Sequence, residues 1–246
     1  MGHVFNEEQQ NKAAFICSNP IARLSELYPR EVKELAVVWS YYSGKIEGNS
    51  YTYIETETLL KDRITSPKKY EDAEILITLH NTFTTELEYI KERNGKGIDE
   101  STLFRVYQSI SAGLVPDEES EHLRNRPVCV SGIEYTPTKE LHKISEKLDE
   151  ILYQQEQYTN PLERAVYLHC NIAQLQPFAN KNKHAFRMIE SIVLMNADII
   201  PVYSLRETDI LNYKKGVLFF CETGEYSLYA DYFLNRQIER IKEIEE

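Results

Sequence analysis

Helical periodicity dominates the chain. From Glu31 onward, Val32, Leu35, Ala36, Trp39, Tyr42 and Ile46 recur at steps of three and four, which predicts a helix over 31–46. Gly48 and Asn49 follow as a stop, because glycine tolerates the left-handed conformation that ends helices. A second helix is predicted over 71–93, ending at Asn94-Gly95. A third begins behind Asp99, an N-cap residue with Thr102 and Leu103 after it, and runs to Gly113. Leu141, Ile144, Leu148 and Leu152 share one face of a helix over 138–153. Asn160-Pro161 is a helix start, with proline at the first helical position. That helix carries Leu162, Ala165, Val166, His169, Ile172 and Ala173, and Gln176-Pro177 closes it, since the residue before a proline is pushed away from helical angles. Further helices are predicted over 182–196, 207–220 and 228–244.

One stretch departs from this pattern. Residues 126–135 alternate at short period around Ser131-Gly132 and predict a β-hairpin. An isolated hairpin is marginal, so it must pack on the helices or bind something. Residues 95–97 read as a loop rather than a domain linker. The expected organisation is one mainly α domain over 31–246, preceded by an N-terminal helical extension over 1–30.

Composition narrows the function classes. The 39 acidic and 28 basic side chains of the 246 residues give a net charge of −11. That balance argues against extended nucleic-acid binding or an anionic membrane surface, while leaving room for a small local phosphate site. Cys17, Cys129, Cys170 and Cys221 are far apart and form no CxxC pair, so no zinc site is expected. No signal peptide and no apolar run of about 18 residues is present, and the expected setting is a reduced, cytoplasmic one. Glycine is scarce, at 9 residues.

The densest polar cluster is 176–187, reading Gln-Pro-Phe-Ala-Asn-Lys-Asn-Lys-His-Ala-Phe-Arg between two apolar helices. Lys181, Lys183, His184 and Arg187 lie there with no acid between them, beside the N-terminus of the next helix. A helix N-terminus with local cations suits phosphate. A solvated basic loop is the competing reading on charge alone, and the Pro177-Phe178 anchor between two helices weighs against it.

This segment resembles the active-site loop of the Fic (Fido) family, HPFxxGNGRxxR with an acid before the first glycine. The upstream Leu168-His169-Cys170-Asn171-Ile172-Ala173 is similar to the family's helix leading into that loop. Ser43-Gly44-Lys45-Ile46-Glu47-Gly48-Asn49 resembles the N-terminal inhibitory motif (S/T)xxxE(G/N). The hairpin around Ser131, Gly132, Ile133, Glu134 and Tyr135 resembles the family's target-docking flap. The resemblance implies a Fic-like helical bundle with a short β-hairpin flap. It also implies transfer of AMP from ATP to a hydroxyl of a target protein, with magnesium, a histidine base, a metal-holding acid and a Gly-Asn-Gly phosphate cradle.

The departures are chemical. The base position holds Gln176, whose amide takes no proton at neutral pH, and general-base catalysis is worth about 10²–10⁴ in rate. The metal-acid position holds Asn180, which brings no charge to a hard cation, so Mg²⁺ is expected to bind weakly or not at all. Lys181 and Lys183 replace the two glycines, and a Cβ resists positive φ. His184 replaces the first arginine. Pro177, Phe178, Asn182 and Arg187 match. Three readings of the loop follow: a repurposed site that binds a nucleotide such as ATP over Lys181, Asn182, Lys183, His184 and Arg187; a transferase using His184 as its base; or a loop that binds nothing. The expected activity is nucleotide binding with weak or lost adenylylation, and the alternative is a non-catalytic protein-interaction module. No metal ligands are assigned.

The resemblance pairs Glu47 with Arg187, with Ser43 beside them, as an inhibitory contact. It implies an unidentified target protein docking on the flap, and the helical face at 71–93 could serve a homodimer. Tyr41, Tyr42, Tyr51 and Tyr53 are candidate acceptors for self-modification. Asn212 and Tyr213 fall where family members often line an adenine pocket. His169 reads as a satisfied core histidine, His80, His122 and His142 as exposed, and Glu118, Glu119 and Glu121 as a solvated loop.

Overall fold

The computed structural model describes residues 3–93 and 97–246, apart from the side chains of residues 91–93 and 117. The expected helix end at Asn94-Gly95 lies outside the described residues, as does most of the loop at 95–97. In chain order the helices are α1 (Glu7–Ser18), α2 (Pro29–Ile46), α3 (Tyr53–Asp62), α4 (Tyr70–Arg93), α5 (Glu100–Ser111), α6 (Asp117–Ser120), α7 (Leu141–Gln154), α8 (Pro161–Leu175), α9 (Asn182–Asn196), α10 (Glu207–Thr223) and α11 (Ser227–Glu245). Short 3₁₀ turns sit at Pro20–Ala22, Leu24–Glu26 and Gln155–Gln157.

Helix starts follow the capping chemistry. Asp99 accepts from the Thr102 amide at 2.7 Å, and Asn160 accepts from the amides of Leu162 at 2.9 Å and Glu163 at 3.3 Å. Helix α1 lies within the helical extension expected over 1–30, whereas α3 was not expected; both open on reciprocal caps, Asn6 with Gln9 and Thr52 with Glu55. Glu118 and Glu119 belong to the single turn α6 rather than to an irregular loop, and Glu119 pairs with Arg126 at 2.8 Å.

The antiparallel pair α8 and α9 forms the centre. Helix α7 and the α10–α11 hairpin cover α8, while α4 and α5 cover α9. Helix α2 packs on α4, and α1 packs on α11. One apolar cluster runs from Val4 and Phe5 through the α8 and α9 interface to Ile241, so the N-terminal residues share the core of the rest. Among the described residues, no helix is long and apolar enough to cross a membrane.

The hairpin expected over 126–135 is not formed. Among the described residues there is no β-strand, only the isolated bridge between Arg23 and Ile199. The turn at Ser131-Gly132 is present, with Gly132 at φ +98°. Its two arms do not pair. Pro127 and Pro137 bound the segment and offer no amide to a ladder. Arg124 takes up the carbonyls of Arg126 at 3.0 Å and Thr138 at 2.6 Å instead. Val130 is buried, and Ile133 and Tyr135 pack against the helical core.

Candidate functional site

The loop at 176–181 joins α8 to α9 and reverses the chain through two left-handed residues, Gln176 (φ +49°) and Lys181 (φ +54°). Phe178 anchors it. The ring is fully buried and stacks on Tyr107, with centroids 3.7 Å apart and planes 4° apart, and meets Phe104 edge-on. Asn182 closes the loop by accepting from the Phe178 amide at 2.9 Å and donating to its carbonyl at 2.6 Å. The buried Arg124 secures the other side. Its backbone amide donates to Pro177 O at 2.9 Å, and its guanidinium donates to Gln176 O at 2.5 Å and Leu175 O at 3.3 Å. Sequence reading missed both Arg124 and Tyr107. The partners of Arg124 are carbonyls, which leave no trace in a side-chain pattern.

The two lysines at the glycine positions behave differently. Lys181 adopts positive φ despite its Cβ, a conformation that costs roughly 1–2 kcal/mol outside glycine. Lys183 lies in the first turn of α9 and needs no positive φ. No side chain caps α9, so its first amides keep their partial positive charge for a ligand. Burial lowers the Lys181 pKa, with Glu47 pulling the other way. Asn180 is exposed, and with its amide suitably oriented it accepts from Arg126 at 3.1 Å and donates to Ala179 O at 3.2 Å. The Gln176 amide donates to Ala173 O at 2.7 Å.

Ser43 in the last turn of α2 and Glu47 at its C-cap, four residues apart, both reach α9. Arg187 is 1% exposed and meets them there. Its Nε donates to Ser43 Oγ at 2.9 Å, and its Nη2 donates to Ser43 O at 3.1 Å. Its Nη1 reaches Glu47 Oε1 at 3.4 Å and Tyr213 Oη at 3.3 Å. Burial opposes the Arg187 charge, but Tyr213 and Glu47 outweigh it and the pKa is raised. The other oxygen of Glu47 binds Lys183 Nζ at the shorter distance of 3.0 Å. Glu47 is thus held between two cations, one of them a substitution the sequence reading had assigned only to phosphate.

His184 is also buried. Its Nδ1 lies 3.0 Å from Arg187 Nη2 and 3.2 Å from Ser43 Oγ. Burial, then the charges of Arg187, Lys181 and Lys183, hold its pKa well below the usual imidazole range. The neutral ring serves Arg187 as an acceptor and brings no charge of its own to the site.

Behind Arg187 lies a polar cluster that includes His169, fully buried as expected for a satisfied core histidine. His169 Nδ1 is 2.8 Å from Glu190 Oε2 and 3.0 Å from Tyr229 Oη, and its Nε2 is 3.3 Å from Tyr213 Oη. Tyr213 is buried, whereas Asn212 is exposed. Tyr42 and Tyr51 are buried, and Tyr41 and Tyr53 are half-buried. His122 and His142 are exposed, but His80 is half-buried.

Two cavities adjoin at Gln176 and Lys183. One, of about 190 Å³, is mostly apolar and includes Ile46, Val130, Phe186, Tyr213, Val217 and Leu218 in its walls. The other, of about 300 Å³, lies over the loop and is lined by Glu47, Asn180, Lys181, Asn182 and His184 among others. Ser131 reaches the first cavity, while Gly132 and Glu134 are exposed. Among the described residues, no group of three or more histidine, cysteine or acidic side chains could hold a metal ion.

Residues 97–194 match the family model for the Fic/DOC family. Over 180 residues, 70% of its length, the chain is 24% identical to Protein adenylyltransferase Fic of Nematostella vectensis and covers 40% of that protein. Fic-1 from C. elegans superposes with a TM-score of 0.73 at 16% identity, over 97% of this chain and 71% of that one. A Fic family protein from Desulfovibrio desulfuricans G20 gives 0.78 at 16% identity, over 98% and 74%. A Fic domain containing signaling protein from Bacteroides thetaiotaomicron VPI-5482 gives 0.71 at 18% identity, over 98% and 94%. At these identities the solved structures bear on the fold alone.

Proposed function

We propose that this chain, whose residues 97–194 match the Fic/DOC family model, binds a nucleotide across the two cavities, with AMP transfer weak or lost. The observation that carries this reading is the meeting of an apolar cavity and a cation-floored one at Gln176 and Lys183. A base fits the first, against Phe186 and Tyr213. Phosphates fit the second, over Lys181, Lys183 and the open amides of α9. Glu47 occupies Lys183 and Arg187, so an outer phosphate must displace it before reaching either cation.

Adenylylation would require a target hydroxyl to attack the α-phosphorus as pyrophosphate leaves, with the hydroxyl proton passing to a base. Gln176 accepts no proton, and its side-chain nitrogen is committed to Ala173 O. His184 points its Nδ1 into Arg187 and Ser43 and is poorly placed to replace a base. The residues present do not fit the family's metal. Asn180 carries no charge, its oxygen is turned to Arg126, and the neighbouring side chains are cationic. The target would dock on the flap at Ser131–Tyr135, whose unpaired backbone accepts an extended segment.

Titration calorimetry with ATP, ADP and AMP tests the reading. The expected result is that Glu47→Gly binds ATP at least tenfold more tightly than the unchanged chain, because a carboxylate no longer competes for the phosphate-binding cations. No binding to either form would overturn the proposal. Transfer of α-labelled but not γ-labelled phosphate in Glu47→Gly would identify residual adenylylation, and its rise with Gln176→His would identify the missing base as the limiting defect.

A further inference from the structure

The buried groups behind Arg187 form an unbroken path that the nucleotide reading does not use. Arg187 Nη1 meets Tyr213 Oη at 3.3 Å, Tyr213 Oη meets His169 Nε2 at 3.3 Å, His169 Nδ1 meets Tyr229 Oη at 3.0 Å, and Tyr229 in turn meets Glu190. The direction of the path follows from what each group can do. Arg187 only donates, so Tyr213 oxygen accepts from it. Tyr229 gives its one hydrogen to Glu190, so its oxygen accepts from His169 Nδ1, and His169 turns a bare Nε2 towards Tyr213. The Tyr213 hydroxyl hydrogen then goes to His169. Tyr229 fixes the far end, donating to Glu190 Oε2 at 2.6 Å while its ring stacks on His169 at 4.5 Å. His169, Tyr229 and Tyr213 are each less than 5% exposed, so water does not compete for these bonds.

The site needs such a path. The only carboxylate in direct contact with Arg187 among the described residues is Glu47, at 3.4 Å and on the helix that must yield to a phosphate. When Glu47 leaves, Arg187 keeps Ser43, His184 and Tyr213, all neutral. An enclosed guanidinium held only by neutral partners is costly.

We propose that Glu190, Tyr229, His169 and Tyr213 are positioning residues, a hydrogen-bonded relay that carries the influence of a buried carboxylate to Arg187 and keeps it aimed at a nucleotide phosphate once Glu47 lets go. The aim at phosphate rests on the nucleotide reading above, whereas the relay itself is a property of the protein without ligand.

Side-chain ¹⁵N NMR of the full chain without nucleotide reads the relay directly. Glu190→Gln is expected to shift the Arg187 guanidinium signals, although no hydrogen bond or ion pair joins the two among the described residues. Glu47→Gly is expected to shift the His169 ring signals, although among the described residues no hydrogen bond, ion pair or ring contact joins α2 to that ring. Because Glu47 lies at the surface end of the path, the second measurement stands even where Glu190→Gln fails to fold. Unmoved His169 signals in Glu47→Gly, or unmoved Arg187 signals in a folded Glu190→Gln, would overturn the relay. ATP binding adds the functional arm. In the Glu47→Gly background, Glu190→Gln and Tyr213→Phe are each expected to weaken ATP about tenfold, and the pair together no more than the stronger single change, because both act through one path. Additive losses would overturn it. Shifted signals with no ATP binding would sink the nucleotide reading and leave the relay; ATP binding with unshifted signals would do the reverse.

Discussion

His184 illustrates what a single replacement does inside a packed site. Where the family motif carries an arginine, this ring is enclosed and faces the Arg187 guanidinium at 3.0 Å. A proton on Nδ1 would set two cations against each other and cancel an acceptor. Its folded pKa is depressed, by burial first and Arg187 second, below an unfolded value near 6.5. The unfolded chain therefore binds more protons below about pH 6.5, and stability falls as pH drops from there towards the folded pKa. His184→Asn supplies a neutral acceptor that cannot titrate in this range. Its melting temperature, measured from pH 7.5 to 5, should fall less steeply than that of the unchanged chain. Equal slopes would show that the ring does not control this window. The chemistry of positions 176–187 was legible because residue type alone says that Gln176 takes no proton and Asn180 brings no charge. The bond from Lys183 to Glu47 was not legible, because it depends on where α2 crosses α9 and not on any spacing between them.

At the level of helices, the strongly periodic segments were legible to within a few residues. The expected 182–196 coincides with α9, because an apolar stripe and a preceding loop define both of its ends. Helix α3 and the bounds of α1 escaped because caps, not stripes, mark them; α1 buries only Gln9, Ala13 and Ile16. The flap failed as a hairpin because alternation records which residues face inward and says nothing of a partner strand. Helix crossings were equally silent. Gly216 of α10 lies against α11 so closely that an added Cβ would sit 2.8 Å from the Tyr229 Cα. Neither backbone can yield without moving Tyr213 or Tyr229, one on each helix. Gly216→Ala should therefore lower stability by about 1–3 kcal/mol in a denaturant titration, as overpacking does elsewhere. A change within 0.5 kcal/mol would mean that the two helices separate freely.

Across the whole molecule, the net charge of −11 is an average that the site does not share. Acidic residues dominate the chain, while Lys181, Lys183 and Arg187 gather at one helix start, two of them under the hold of Glu47. The scarcity of glycine has a local counterpart in the two lysines at the cradle positions, one of which accepts backbone strain. One core joins all of this, so the site is set by elements more than 100 residues apart in sequence, as the Glu47 and Lys183 pair shows.

Arg124 has a kinetic consequence. With one amide and one guanidinium it holds carbonyls of Leu175, Gln176, Pro177, Arg126 and Thr138. The flap cannot lift while the loop stays folded, because the same side chain would have to release both. In deuterated water, the hydrogen-bonded amides of Arg124, Gln176 and Phe178 should accordingly open together with a common rate. Arg124→Met should split them, the amide at position 124 exchanging ahead of those at 176 and 178. Separate rates in the unchanged chain would show that the two segments breathe independently.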